Sequence, residues 1–143
     1  MGILTDLILA TEAELAGLDP DKLPIEVLPG LDIKGTGLVE LATLHSILTG
    51  TDFDPAMEAF PAVSDEESED GPWIFRCPPD LITGLAAADA GELAEVAAEW
   101  ARTEEIQEAQ WETDQVHQRL VDMQAFARTA VASGKPVHLW TSL

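Results

Sequence analysis

Residues 113–133 read TDQVHQRLVDMQAFARTAVAS, the longest uninterrupted amphipathic run in the chain. Val116, Leu120, Met123, Ala127, Ala130 and Val131 recur at steps of three and four, which places them on one side of a 3.6-residue helix, with Val121 and Phe126 widening the stripe. Gln115, Gln118, Asp122, Gln124 and Arg128 fall on the opposite side. A helix of this kind cannot leave its apolar stripe in water, so the other elements must supply the surface that covers it.

Just beyond this helix, Gly134 is placed to end it and Lys135-Pro136 turns the chain. Val137, Leu139 and Thr141 then alternate with His138, Trp140 and Ser142, which is the period of a closing strand, with the proline where it does least harm. Upstream, Asp89 to Arg102 reads as a further helix with Leu93, Val96, Ala97 and Trp100 as its buried edge and Glu92, Glu95 and Glu99 outside. Thr103 is a candidate cap for the next turn, since Glu104 and Glu105 stand where a helix dipole favours acids. Spacing leaves open whether Thr103–Glu112 joins the long helix or meets it at a kink near Thr113. Trp73–Cys77, between prolines, reads as a strand, and Pro79-Asp80 suits the start of a helix running to Ala88.

The N-terminal half is more broken. Ile3–Ala10 is a nearly continuous apolar run of strand length, followed by Thr11 and Glu14 in the spacing of a capping box. Asp19-Pro20, Pro24 and Pro29-Gly30 then interrupt regular structure, leaving a loop with a brief extended piece at Ile25–Leu28. Thr36–Thr49 is a second strong helix, with Leu38, Leu41, Leu44 and Leu48 on one side and Gly50 placed to close it. Together these predict one α+β domain over residues 1–143: a small sheet of three or four short strands covered by five or six helices, the helices concentrated in the C-terminal half.

Charge narrows the function classes. Acidic residues number 27 against 7 basic ones, a formal net charge of -20. A field of that sign repels phosphate backbones and anionic bilayer surfaces, so neither nucleic acid nor membrane is an expected partner. No apolar run reaches the roughly 18 residues of a membrane span, no basic leader precedes one, and the lone Cys77 rules out an internal disulfide; these point to a reducing cytoplasm. Acidity of this kind serves solubility, or complementarity to a basic partner, as in acidic inhibitors of basic nucleases; the likeness to those is one of charge alone.

Catalytic and metal chemistry find little support. His45, His117 and His138 lie on two helices and a strand, with only Asp114-x-x-His117 spaced to face one way, so no metal is implied. No serine has the setting of an activated nucleophile, and Cys77 reads as a buried structural thiol. Gly35-Thr36-Gly37 before a helix has part of the form of a phosphate-binding turn, but Glu40 stands where a third glycine belongs, and no cofactor is implied.

What remains is a non-catalytic interaction domain whose contact residues are Asp65, Glu66, Glu67, Glu69 and Asp70, in a solvated, mobile loop at about 64–72, with Glu104, Glu105, Glu108, Trp111 and Glu112. The expected partner is a protein with a basic surface. Two alternatives stand beside it: a small enzyme or ligand-binding domain with a pocket near Gly35–Gly37 or beside His117, and a structural or homo-oligomeric subunit.

Overall fold

The computed structural model describes residues 4–18, 23–63 and 72–142. The first and last strands lie at the centre of the sheet. Strand β1 (Leu4–Leu9) pairs antiparallel with β4 (Val137–Ser142), and the edges are β2 (Gly30–Asp32) beside β1 and β3 (Trp73–Arg76) beside β4. All pairings are antiparallel, in the order β2-β1-β4-β3.

Alternation along the two central strands divides the side chains between two layers. Leu7 and Leu9 with Val137 and Leu139 enter the main core, while Ile8 and Trp140 point to the other face. Both faces are covered, so β1 and β4 are buried almost throughout. On the outer face the cover is thin. Among the described residues it comprises helix α1 (Glu12–Ala16), which brings Leu15, and the single turn α2 (Pro24–Val27), which brings Ile25 and is followed by Leu28. The capping box at Thr11 is formed, with Glu14 N donating to the Thr11 hydroxyl and Thr11 N to the Glu14 carboxylate. The expected extended piece at Ile25–Leu28 is instead this helical turn: Pro24 presets the first helical φ and Glu26 reaches back to accept from Leu23 N. The extended segment comes after it, as β2.

The inner face carries the helical layer. Helix α3 (Leu38–Thr49) ends at Gly50 in the left-handed conformation and is followed by α4 (Phe53–Glu58). After β3 come α5 (Pro79–Ala87), α6 (Ala90–Ala101), α7 (Glu104–Glu108) and α8 (Thr113–Ser133). Eight helices among the described residues exceed the expected five or six because α1, α2, α4 and α7 are short pieces that carry little periodicity. The longest helix does lie in the C-terminal half, but α1 to α4 all precede it.

Helix α8 has the predicted bounds and packs chiefly against α5 and α6. It buries Val116, Leu120, Met123, Ala127 and Ala130, with Phe126 partly covered. Val121 and Val131 do not belong to that line; they are 38% and 50% exposed. Gln124 and Arg128, expected to face solvent, instead reach the end of α5. Gln124 Nε2 donates to the carbonyls of Leu85 at 2.9 Å and Ala88 at 2.7 Å, and Arg128 Nε to that of Ala86 at 3.1 Å. Carbonyls at a helix end have no partner within the helix, and these side chains supply one.

Thr103–Glu112 does not join α8; the helical path breaks between Glu108 and Thr113, beside the point where a kink is expected. Helix α7 stops at Glu108 and Gln110 takes a positive φ of 61° before the chain re-enters a helix. Thr103 does not cap α7 through its side chain; its hydroxyl donates back to Trp100 O. Residues 64–71, which hold Asp65, Glu66, Glu67, Glu69 and Asp70, lie outside the described residues. No described helix is long and apolar enough to cross a membrane.

The packing of α8 sets a contrast that urea unfolding can check. Leu120→Ala should cost about 2–5 kcal/mol through lost burial and a residual cavity. Val121→Ala, one residue away, should stay within about 0.5 kcal/mol of the parent.

Candidate functional site

The residues that sequence reading singles out around Trp111 lie on α7, on the short link after it and at the start of α8. Ile106 is fully buried and anchors α7, which leaves Glu104 and Glu108 exposed and Glu105 partly so. Glu112 is the N-cap of α8; its N–H donates to Gln115 Oε1 at 2.9 Å, and its carboxylate stays exposed beside Asp114. Glu92, Glu95 and Glu99 are exposed on the preceding α6. Between residues 92 and 114 the sole Lys or Arg is Arg102. None of these carboxylates forms an ion pair among the described residues, where the two ion pairs are His45–Asp80 and Lys135–Glu14.

Trp111 sits at the edge of this acidic flank, but not as a free anchor. Its ring is half-buried against the turn at Gly35, where φ is 89° and a Cβ would lie 2.9 Å from the indole Cζ2. The Arg119 guanidinium stands 5.1 Å from the ring centroid. Arg119 also donates to the carbonyls of Asp32 at 2.8 Å and Lys34 at 3.1 Å, so one side chain ties α8 to the end of β2 and covers the tryptophan. Burial lowers the Arg119 pKa, while the Asp32 and Asp122 carboxylates act the other way. A shallow cavity of about 420 Å³ opens here, lined by Asp32, Trp111, Gln115, Gln118, Arg119 and Asp122. Sequence reading finds Trp111 but not Arg119 or Asp32, which are 87 positions apart and carry no shared motif.

The other sequence candidates are held apart. At Gly35–Gly37 the Trp111 ring fills one glycine's open side, and the Gly37 N–H donates to Glu40 Oε2 at 3.0 Å. The chain's own carboxylate therefore occupies the amide that a phosphate would seek. His45 is buried between α3 and α5, with Nε2 at 2.9 Å from Asp80 Oδ1 and its ring edge-on to Phe60. His117 is exposed on α8. Cys77 is buried, and burial pushes its thiol up to about 12, far from a thiolate at neutral pH. Among the described residues no group of three or more His, Cys, Asp and Glu is placed to hold a metal ion.

Two buried ionisable groups on the outer sheet face carry no sequence signal. Asp6 is only 6% exposed, stands across from Asp32 on β2 and Trp140 on β4, and accepts no side-chain hydrogen bond among the described residues. Burial, and next the Asp32 charge, raise its pKa to about 6. His138 is fully buried, and burial lowers its pKa, aided by Arg76 and opposed by the Ala10 backbone and Glu12. Neither ring nitrogen meets hydrogen-bond geometry, so the Ala10 backbone comes close enough only to favour the protonated ring.

The signs of these two shifts differ in consequence. A carboxyl with a raised folded-state pKa favours folding most below its unfolded value and loses that contribution as pH rises through about 6. An imidazole with a lowered pKa disfavours folding once pH drops below its unfolded value, about 6.5. In Asp6→Asn the histidine is unchanged, so the difference from the parent isolates the carboxyl. The variant should have the higher Tm at pH 7.5, with the gap closing as pH falls to about 4; a gap independent of pH would contradict the assignment. Gly35→Ala should lower stability by about 2 kcal/mol, because alanine resists a positive φ and would press on Trp111; urea unfolding followed by tryptophan fluorescence measures it.

Comparison of the chain with protein-family models, with curated proteins and with solved structures gives no match, so the reading of this flank rests on its own geometry and charge.

Proposed function

We propose that this chain acts without catalysis, as an interaction domain whose acidic flank from α6 to the start of α8 receives a basic surface of another protein. The observation that supports this reading is the exposed set Glu92, Glu95, Glu99, Glu104, Glu108, Glu112 and Asp114, unpaired among the described residues. Like charges this close repel one another, by a few tenths of a kcal/mol for each neighbouring pair on a helix. A cationic partner relieves that repulsion on contact and is drawn in by the same field beforehand. Trp111 and Arg119 form a firm, partly apolar border to the flank, which suits a contact with a charged margin and a small desolvated patch.

This reading sets an ionic-strength dependence. Tagged protein should retain basic proteins from a lysate at about 50 mM salt and lose them by about 500 mM, as the screening length falls well below 10 Å. A Glu104→Lys/Glu108→Lys/Glu112→Lys variant, altered only at exposed positions, should fold normally and retain fewer of them, chiefly through slower association. Tight partners that are neutral or acidic, held equally at both salt concentrations and by the variant, would refute it.

A further inference from the structure

At the opposite end of α8 the surface changes character. Two cavities of about 320 Å³ and about 460 Å³ adjoin along the seam between α5 and α8, sharing Thr83 and Val131. Ile82, Ala86 and Val131 give them an apolar lining, and Val131 is 50% exposed, the most of any large hydrophobic side chain among the described residues. In a chain with 27 Asp and Glu residues, none lines either cavity among the described residues, whereas Arg76, Arg128 and Lys135, three of the seven basic residues, all do.

These cations are not equally engaged. Arg128 gives its Nε to the Ala86 carbonyl and Lys135 its Nζ to Glu14. Arg76 is exposed, and its guanidinium has no hydrogen-bond or ion-pair partner among the described residues. On so acidic a protein an arginine that lines an apolar recess, with no such partner among the described residues, is a place for an anion. The size of the recess falls within the range of small-ligand pockets, roughly 300–1,000 Å³.

The net charge limits which anion fits. A nucleic acid or a second copy of this chain would bring many negative charges against a body that already carries -20. A ligand with one charge and a large apolar part meets the least repulsion and gains from both features of the groove. We propose that the α5–α8 groove binds a small amphipathic anion, a single carboxylate on an apolar body, with the body along Ile82 and Val131 and the carboxylate at Arg76. Cys77, which also lines the recess, stays a neutral thiol and contributes only its surface. This inference is independent of the acidic flank and stands or falls separately.

The test is a titration of the full ¹⁵N-labelled chain with sodium decanoate below its micelle-forming concentration, followed by amide chemical shifts. Decanol and decyltrimethylammonium serve as neutral and cationic probes of the same length. Decanoate should give saturable shifts concentrated in residues 79–87 and 128–137 and bind roughly tenfold or more tightly than decanol, the scale of one charge-assisted hydrogen bond. Arg76→Gln should remove that preference and leave decanol binding unchanged. Val131→Asp, at a half-exposed position where the fold tolerates it, should weaken decanoate roughly tenfold or more by placing a like charge in the groove. The proposal is overturned by unsaturable or scattered shifts, by decanol or the cation binding as well as decanoate, or by a Val131→Asp protein that binds as the parent does.

Discussion

Helix α8 has to hide one line of side chains, Val116, Leu120, Met123, Ala127 and Ala130, and the domain is assembled around that requirement. The helices α5 and α6 cover the line directly. The polar residues to either side of it then act as ties. Arg119 fixes the end of β2 through the carbonyls of Asp32 and Lys34, and Gln124 with Arg128 closes the last turn of α5. Each tie serves backbone groups that would otherwise need water, so the helix positions its neighbours as well as packing on them. The Trp111 cavity borders its first half and the α5–α8 groove its second.

Charge is divided along the same axis. Acids from Glu92 to Asp114 gather before and at the start of α8, and Arg128 and Lys135 stand towards and beyond its end. An ideal helix of 21 residues extends over about 30 Å, three screening lengths at 0.1 M salt. At that separation Glu112 and Asp114, at the start of the helix, hardly influence its far end in solution. The net charge of -20 consequently misdescribes the molecule at short range, where a ligand meets either a dense field of carboxylates or a groove that none lines among the described residues.

How much of this was legible in the sequence depends on distance along the chain. The bounds of α8 and of β4 follow from local periodicity, as do the capping box at Thr11 and the left-handed Gly50. Periodicity also placed Val121 and Val131 in the buried line, since it marks a side of a helix without saying where the neighbours stop; α5 and α6 cover a narrower strip than the apolar residues span. Contacts between distant positions left no trace. The Gly35–Trp111 fit and the Arg119 ties join residues more than 70 positions apart, so the candidate phosphate turn looked open when an indole fills it. Asp6 was one acid in an apolar run, and its burial became evident only once β2 and β4 were known to flank it.

The outer face of the sheet shows the opposite economy from α8. Among the described residues its cover is two helices of five and four residues, far below the length at which a helix has any stability of its own. They hold only through what they touch: Leu15 and Ile25 on Ile8, Ala10 and Trp140, the capping box at Thr11, and the ion pair from Lys135 to Glu14. Asp6 and His138 are buried on this same face, and among the described residues neither side chain has a hydrogen-bond partner, which lowers the margin further. Stability is therefore distributed unevenly across the two faces of the sheet. The inner face has a continuous core to offset such defects, and it also carries the helices that form both candidate surfaces. Those surfaces thus rest on the firm side of the domain, although loosening of α1 would reach the groove through Glu14, whose carboxylate holds the Lys135 that lines it.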